Sequence, residues 1–169
     1  MDKLWAPWRV KYVTKIIKRN RKRCVFCDIL RQKKDKKNYI FIRTKNCFSV
    51  LNIYPYNNGH ALVMPNRHIG NLFQLSKEER DDLFDLLEET KFLLDKVLKP
   101  DGYNVGMNLG KSAGAGFPDH VHIHIVPRWI GDVNFMPVLA DTKIISQSLT
   151  ALYKKLSDAY KKRLRRIRR

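Results

Sequence analysis

The sequence predicts an α+β domain, with short β-strands around one long helix and a second helix at the C-terminal end. Three observations support this class. Apolar runs of strand length occur at residues 39–43, 47–52 and 60–64. Apolar residues then recur at helical spacing between residues 77 and 98. The length of 169 residues and the hydrophobic content of 44% suit one domain with a core of ordinary size.

The long helix is the most clearly marked element. Ser76 and Glu79 form the S-x-x-E pattern of a capping box, which predicts a helix start at about residue 77. Pro100 predicts an end near residue 98, because a residue that precedes proline is disfavoured in the helical conformation. The apolar residues at helical spacing between these limits are Leu83, Leu86, Leu87, Leu94, Val97 and Leu98.

The remaining segments are less regular. Before the long helix, residues 24–30 form a short apolar stretch, the Lys-rich run 31–38 predicts a solvated loop, and Pro55 with an Asn-Gly pair predicts a turn over 53–59. The segments after the helix are a strand at 103–109, a glycine-rich loop at 110–116, a histidine-rich strand between Pro118 and Pro127, an irregular stretch at 128–141, and a helix from about residue 144.

The net charge of +18 is concentrated at the two ends of the chain. Residues 1–45 carry 16 basic and 3 acidic side chains, and residues 154–169 carry 9 basic and 1 acidic. Such ends either attract polyanions or form a solvated surface rich in Lys and Arg. Because these blocks lack regularly interleaved aromatic residues, solvated charge is the favoured interpretation, and attraction to phosphates, RNA or a membrane surface is the alternative.

Residues 120–125 alternate histidine with aliphatic residues. In a β-strand, alternate side chains point to the same face. His120, His122 and His124 are therefore predicted to project together, while the aliphatic residues face the core. A chance alternation of polar and apolar residues is the simplest alternative, but histidine is too rare a residue for this to be favoured.

Two chemistries can use such a row of imidazoles. A His-x-His pattern places two ring nitrogens on one side, as metal binding requires. A neutral imidazole can also attack phosphorus when a neighbouring group fixes its tautomer. The glycine-rich loop at 110–116 precedes the row, and its backbone N–H groups can hold phosphate oxygens. This order favours covalent catalysis on a phosphate.

Cys24 and Cys27 form a C-x-x-C pair, and Cys47 stands alone. An odd, low number of cysteines in a chain without a signal-peptide-like start argues against a disulfide framework. The pair fits a metal site, a redox-active dithiol or two packed thiols. A tetrahedral metal site needs two further ligands, and the sequence offers four candidates: Cys47, His60, His68 and His120.

The motif His-Val-His-Ile-His-Ile-Val at residues 120–126 resembles the signature of the histidine-triad (HIT) superfamily of nucleotide hydrolases and transferases. Asn52 and the Gly-His pair at residues 59–60 are similar to further positions of that family. The opening Trp-Ala-Pro-Trp-Arg at residues 5–9 and the stretch 127–137 resemble the diadenosine tetraphosphate phosphorylase branch. The resemblance therefore covers nearly the whole chain.

The resemblance implies a HIT-like fold, with an antiparallel sheet of about five strands, in one domain over residues 1–169. The aromatic and basic residues 1–23 would form an N-terminal extension, and the basic residues from about 154 to 169 a C-terminal tail. A homodimer whose two sheets join is also implied. No apolar run approaches the roughly 20 residues needed to span a bilayer, so the sequence predicts a cytoplasmic protein without a membrane partner.

The resemblance also implies a reaction. His122, as the middle histidine, would attack the α-phosphate of an adenine nucleotide and form a covalent nucleotidyl-histidine, with His124 orienting it. Phosphorolysis of diadenosine tetraphosphate by inorganic phosphate is preferred over hydrolysis of dinucleoside polyphosphates or nucleoside phosphoramidates. A nucleotide- or RNA-binding protein is the alternative of another class. The substrate contacts implied are Asn52 to ribose, and Asn108, Gly114, Gly116 and His124 to phosphate.

One position departs from the family pattern. Many relatives carry Ser, Thr or Gln three or four residues before the triad, where the side chain touches the scissile phosphate. This chain has Gly116 and Phe117 in that place. Gly116 can contact a phosphate only through its backbone N–H, so we expect leaving-group assistance and substrate choice to differ from those relatives.

The resemblance selects among the candidate metal ligands. In zinc-containing members, two cysteines combine with a histidine that follows a Pro-x-x motif and with the first histidine of the triad. The matching residues here are Cys24, Cys27, His68 and His120. Because the protein fills all four positions, the implied zinc is structural. His60 is left with a hydrogen-bonding role near the site, and Cys47 with that of a small apolar residue in a strand.

Overall fold

A computed structural model of the chain describes residues 23–132 and 145–167. Most of the predicted N-terminal extension and most of the irregular stretch at 128–141 lie outside these ranges. The elements, in chain order, are α1 (Val25–Gln32), α2 (Asp35–Asn38), β1 (Ile40–Arg43), β2 (Cys47–Leu51), β3 (Ala61–Pro65), a 3₁₀ turn (Leu72–Gln74), α3 (Lys77–Leu98), β4 (Gly102–Gly106), β5 (Ile123–Arg128) and α4 (Leu149–Ile167).

The five strands form one antiparallel sheet in the order β1-β2-β3-β5-β4, which confirms the predicted α+β class. Strand β5 lies between β3 and β4. His124 of β5 pairs with Leu62 on one side and with Gly106 on the other. The histidine motif therefore enters the interior of the sheet, where neighbouring strands fix the backbone on both sides.

The long helix α3 has the predicted bounds. The Ser76 hydroxyl accepts a hydrogen bond from the Glu79 backbone N–H at 3.2 Å, and the Glu79 carboxylate accepts one from the Ser76 N–H at 2.9 Å. These two bonds are the predicted capping box. The helix buries one apolar side against β2 and β3, and the Thr90 hydroxyl donates to that of Ser49 across this contact at 3.0 Å.

The strand expected at 103–109 ends at Gly106, and the helix expected from about residue 144 begins at Leu149. Two further expectations about the backbone were also wrong. The predicted loop at 31–38 is mostly helical, because α1 continues to Gln32 and α2 follows after Lys33, whose left-handed φ of 51° ends the first helix. The histidine strand also begins later than predicted, because β3 pairs only as far as Val63 with Ile123. The residues before it are held by a different bond, from the Val121 N–H to the Ile69 carbonyl at 2.7 Å.

The sheet has an apolar cluster on each face. Val121, Ile123 and Ile125 belong to the larger cluster, which includes buried residues of α3 and α4. Phe26 of α1 and Phe48 of β2 belong to the smaller cluster on the other face. The alternation predicted for residues 120–125 is therefore present. The aliphatic side chains enter the larger core, and the histidines face the α1 side.

Replacing Glu79 by Gln is expected to destabilise the fold in a pH-dependent way. The carboxylate accepts hydrogen bonds from Arg67 at 2.6 and 2.8 Å and from the Ser76 N–H, and these bonds lower the pKa of Glu79 from 4.5 to about 2. A carboxyl with a lowered folded-state pKa contributes stability above its unfolded pKa and loses it as the pH falls towards the folded value. Glutamine can still accept the Ser76 N–H but lacks the charge that pairs with Arg67, so we expect E79Q to cost about 0.5 to 1 kcal/mol at pH 7.

Urea unfolding at about pH 7 and about pH 3 measures this effect, and the difference between E79Q and the native chain should shrink at the lower pH. Glu88→Gln removes an exposed carboxylate from the middle of the same helix and is the matched control. An E79Q cost that is equal at both pH values, or equal to that of E88Q, would contradict the assignment.

Within residues 23–132 and 145–167, no helix combines the length and the apolar character that crossing a bilayer requires.

Candidate active site

The three histidines lie in a row, on the face of the sheet that α1 covers. His120 is fully buried, His122 is 6% exposed, and the ring centroids of His122 and His124 are 5.0 Å apart. The Phe26 ring packs against His120 and His122 at centroid distances of 5.4 and 5.1 Å. Phe117 packs on Phe26 in turn, at 4.8 Å. This apolar cover limits the access of water to the first two imidazoles.

His122 is held in one tautomer by its own strand. Its Nδ1 lies 2.8 Å from the backbone carbonyl oxygen of His120. A carbonyl oxygen can only accept a hydrogen bond, so Nδ1 must carry the proton. In the neutral ring, Nε2 then has a free lone pair, which is the form that a nucleophile or a metal ligand requires.

Burial also keeps this imidazole uncharged. It lowers the pKa of His122 below the ordinary value of 6.5, against the smaller opposing effect of the bond to the His120 carbonyl. Desolvation disfavours the imidazolium form, which has no lone pair to donate. The ring is therefore neutral, and Nε2 is unprotonated, at and above neutral pH.

His124 is oriented by a chain of hydrogen bonds through His60. The Tyr56 backbone N–H donates to His60 Nδ1 at 3.0 Å, so the proton of a neutral His60 is on Nε2. His60 Nε2 lies 2.9 Å from His124 Nδ1 and donates to it. The proton of a neutral His124 is then on its own Nε2. The Tyr56 ring stacks on the His124 ring, with 11° between the planes and 5.7 Å between the centroids.

Asn52 joins this chain from the end of β2. Its Nδ2 lies 3.4 Å from His60 Nδ1, and its Oδ1 accepts a hydrogen bond from the Tyr54 N–H at 2.9 Å. The hydrogen-bonding position expected for His60 is thus present in the structure. The structure brings Asn52 to the triad through this histidine, and the side chain of Asn52 is half-buried.

The glycine-rich loop follows β4 on the side of His122. Gly106, at the end of β4, pairs with His124, so Asn108 lies two residues further in the direction of His122. Gly114 has a φ of +85°, a conformation that side chains other than glycine rarely adopt. Its N–H donates within the loop to the Lys111 carbonyl at 2.9 Å. Gly114 therefore shapes the loop. Its N–H is already hydrogen-bonded within the loop and is not available to a phosphate in this conformation.

The four predicted metal ligands lie together. The sulfur and nitrogen atoms of Cys24, Cys27, His68 and His120 are all within 4.8 Å of one another. His120 Nδ1 is 3.4 Å from Cys24 Sγ and 3.6 Å from Cys27 Sγ, and His68 Nδ1 is 3.5 Å from Cys27 Sγ. The third cysteine, Cys47, is buried in β2 and lies outside this cluster, as expected.

These distances and tautomers fit a tetrahedral metal ion. Typical Zn–S and Zn–N bonds of about 2.3 and about 2.05 Å, at tetrahedral angles, place sulfur and nitrogen about 3.6 Å apart. His120 Nε2 lies 2.9 Å from the Pro65 carbonyl oxygen and must donate to it, so Nδ1 offers its lone pair to the cysteines. Burial and the neighbouring Cys24 raise the pKa of Cys27 to about 11, so this thiol needs a nearby cation in order to ionise near neutral pH.

Several parts of the site could not be identified from the sequence. Phe26 and Phe117 cover the histidines, and only the position of Phe26 between the two cysteines hinted at this. A cavity of ≈ 260 Å³ lies further along the same face of the sheet. Asn57, Asn104 and Arg128 line it together with Tyr56 and Val126. Arg128 belongs to the stretch 127–137 that resembles the diadenosine tetraphosphate phosphorylase branch.

Fold and site together define an α+β protein with a buried, neutral imidazole beside a cluster of two cysteines and two histidines whose spacing fits a metal ion. Comparison with known families gives a match to the HIT domain over residues 33–129. The chain belongs to the HIT domain family.

Three relatives bear on the site. An AP-4-A phosphorylase of Mycobacterium tuberculosis is 36% identical over 155 residues, which are 88% of this chain and 79% of the relative. An adenosine 5'-monophosphoramidase of Schizosaccharomyces pombe is 36% identical over 105 residues, or 62% of this chain and 74% of that one. The crystal structure of a zinc-bound histidine-triad family protein from Mycobacterium smegmatis has a TM-score of 0.65 at 26% identity, over 80% of this chain and 91% of that chain.

Proposed function

We propose that this protein cleaves diadenosine tetraphosphate or related dinucleoside polyphosphates through a covalent nucleotidyl-histidine, and that inorganic phosphate resolves this intermediate. The observation that carries the proposal is the bond from His122 Nδ1–H to the His120 carbonyl, which directs a free lone pair onto Nε2. The similarity to an AP-4-A phosphorylase over 88% of the chain supports the choice of substrate.

In the first step, His122 Nε2 forms a bond to the α-phosphorus of the substrate. The bond from that phosphorus to the bridging oxygen breaks, and ATP leaves. The imidazole ring that carries the adenylyl group is positively charged. Its Nδ1–H still donates to the His120 carbonyl, and this hydrogen bond stabilises the charge. In the second step, an oxygen of inorganic phosphate attacks the same phosphorus, the N–P bond breaks, and ADP is released.

The other residues hold the substrate during these steps. His124 binds and orients the phosphate, with its Nε2–H as the donor that the chain through His60 selects. Asn52 holds the ribose at the end of β2. Asn108 and the backbone N–H of Gly116 hold phosphate oxygens, while Gly114 gives the loop the left-handed turn that lets it approach them.

We also propose that Cys24, Cys27, His68 and His120 hold a structural zinc ion. The support is the tetrahedral spacing of their ligand atoms and the zinc-bound relative. Four protein ligands leave no position for substrate, so the ion would fasten α1 and the loop after β3 to the start of the histidine segment and take no part in the reaction. The chain's own Pro65 carbonyl fixes which nitrogen of His120 faces the ion.

The protein is proposed to act as a homodimer in the cytoplasm. The support for a dimer is the outer edge of β4, where Asn104, Val105 and Gly106 are exposed and the strand pairs only with β5 among the described residues. Unpaired edges of this kind readily accept a further strand. A second copy of β4 would satisfy the free backbone groups and extend the sheet.

A phosphate-dependence assay tests the proposed reaction. With diadenosine tetraphosphate and inorganic phosphate, we expect ATP and ADP in equal amounts. Without phosphate, we expect slower turnover that yields ATP and AMP, because water then resolves the intermediate. Sulfate at equal ionic strength is the control anion and should give no ADP. Products that do not depend on phosphate would assign the protein as a hydrolase, and an absence of cleavage would exclude the proposed substrate.

A second candidate substrate is a nucleoside phosphoramidate, which the similarity to an adenosine 5'-monophosphoramidase favours. The same nucleophile would attack the single phosphorus and release an amine. Comparison of kcat/KM for adenosine 5'-monophosphoramidate and diadenosine tetraphosphate decides between the two. A higher value for the tetraphosphate is expected.

A further inference from the structure

Two basic segments that are far apart in the sequence meet on the surface beside β1. Tyr39 directly follows α2, and its hydroxyl lies 3.3 Å from that of Thr150 in the first turn of α4. The rings of Tyr39 and Tyr153 are also in contact, with centroids 6.1 Å apart. These contacts place the Lys-rich surroundings of α2 next to the first turns of the basic helix α4, and we call the exposed basic side chains of both elements the basic surface.

The basic surface is defined by ten exposed side chains, and none of them forms an ion pair with the part of the chain that the structure describes. They are Lys33, Lys34, Lys36 and Lys37 around α2, and Lys154, Lys155, Lys161, Lys162, Arg165 and Arg166 of α4.

The nearby acidic groups do not neutralise this surface. Asp35 is bound by Arg43 through two hydrogen bonds of 2.6 and 2.9 Å. Glu89 is bound by Arg163, whose guanidinium also lies 4.0 Å from the centroid of the Phe92 ring on the inner side of α4. Asp158 is the single acidic residue in α4. The positive charge on the outer side of α4 therefore has one opposing carboxylate.

We propose that the basic surface binds the sugar-phosphate backbone of a nucleic acid duplex without reading its sequence. Residues 154–166 of α4 span about 18 Å, the axial length over which a duplex presents about ten phosphates. Contacts between Lys or Arg and phosphate release condensed counterions, and this release drives sequence-independent binding. The aromatic residues of α4, Tyr153 and Tyr160, are partly buried against the core, which is consistent with contacts to the backbone and not with base stacking.

The helix is less suited to a membrane surface. A helix that binds at a lipid interface presents apolar side chains beside its basic residues. In α4, the large apolar residues Leu152 and Leu156 are buried in the protein core, and Ile167 at its end is the exposed one. Nothing on the basic side of the helix before Ile167 could insert between lipids.

The basic surface is separate from the candidate active site. Strand β1 is three strands away from β5 in the sheet, or about 14 Å at the usual spacing. Helix α4 packs on the face opposite the histidines, because Leu152 and Leu156 share a core cluster with Ile123 and Ile125. A nucleic acid bound along α4 would leave the triad free, so the proposal stands independently of the proposed reaction.

Fluorescence anisotropy with a labelled RNA duplex of about 20 base pairs tests this proposal, with the full chain and KCl from about 50 to about 200 mM. The test variant is K154Q/K155Q/K161Q/K162Q. The matched control is K45Q/K77Q/K91Q/K99Q, which removes four exposed lysines from other parts of the surface. Each variant removes four positive charges and keeps the other basic residues. The two variants therefore have the same net charge and differ only in where the charge was removed.

We expect the test variant to bind at least about tenfold more weakly than the native chain at about 100 mM salt. Its slope of log K against log salt should be smaller by about 2 to 4, while that of the control changes by less than about 1. Equal losses in the two variants, or no loss in either, would overturn the proposal. Tighter binding to vesicles of anionic phospholipid than to the duplex, with the same dependence on these four lysines, would overturn it in favour of a membrane. The His122→Asn variant should bind the duplex as the native chain does.

Discussion

His122→Asn is expected to lower kcat for diadenosine tetraphosphate by at least about 10⁴-fold, since loss of a covalent nucleophile removes the reaction path itself. Asparagine is the most informative replacement, because its amide N–H can still donate to the His120 carbonyl that now holds His122 Nδ1. The variant therefore lacks the Nε2 lone pair but keeps a polar side chain that can be satisfied at this buried position. Nucleotide affinity should stay within about threefold of that of the native chain, because the ribose and phosphate contacts are untouched.

His124→Asn is the comparison that separates attack from orientation. His124 lies 5.0 Å from His122, centroid to centroid, and acts on the substrate phosphate in the proposed mechanism. We expect a smaller loss of kcat, about 10²-fold, together with a higher KM. Steady-state kinetics and equilibrium binding of a nucleotide measure both variants. Retention of more than about 1% of the native kcat by His122→Asn would contradict its role as nucleophile.

His120→Ala is expected to abolish binding of the proposed zinc ion and to destabilise the protein by about 4 kcal/mol, if free zinc exceeds its Kd by about 1,000-fold. The ring of His120 is fully buried, with one nitrogen bonded to the Pro65 carbonyl and the other facing the two cysteines. Its loss breaks the connection between β3, α1 and the segment that leads into β5. Metal content by mass spectrometry and urea unfolding with and without a chelator measure the effect.

His122→Asn is the matched control for this measurement, because His122 is also a buried histidine of the row but lies outside the four-ligand cluster. It should keep one zinc per chain and should lose stability on chelation as the native chain does. Chelation should change His120→Ala little. Full zinc content in His120→Ala, or a native chain whose stability is unaffected by chelation, would contradict the assignment of His120 as a ligand.

The sequence predicted the parts of the fold that depend on local patterns. The bounds of α3 were correct because Ser76 and Glu79 form a complete cap, and Pro100 lies just beyond the end of the helix. The alternation at residues 120–125 correctly separated the core side of the segment from the histidine side. Such signals reside in neighbouring residues and are little affected by the rest of the chain.

Other features depend on contacts between distant residues. The extent of β5 is set by how far β3 reaches alongside it, and the short helices near residue 33 depend on Phe26 finding a buried position. The joined basic surface follows from the contact of Tyr39 with α4, more than 100 residues away. The composition shows that both ends of the chain are basic, but it does not predict that residues from the two ends lie close together in space.

The candidate site divides in the same way. The residue types at the triad and the C-x-x-C pair were informative, and the four ligand atoms indeed lie together. The tautomers were not predictable, because they are set by backbone groups of His120, Tyr56 and Pro65. These backbone acceptors and donors give the three histidines different roles. His120 turns Nδ1 to the two cysteines, His122 offers Nε2, and His124 offers an N–H.

Mass spectrometry of the quenched reaction tests the covalent mechanism. Native protein is mixed with diadenosine tetraphosphate without phosphate and is then quenched in base, which preserves an N–P bond to imidazole. We predict one adenylyl group on the peptide that contains His122, formed along with released ATP and discharged as ADP when phosphate is added before the quench. An adenylyl group on another residue, or turnover during which no adduct forms and phosphate still yields ADP, would contradict attack by His122.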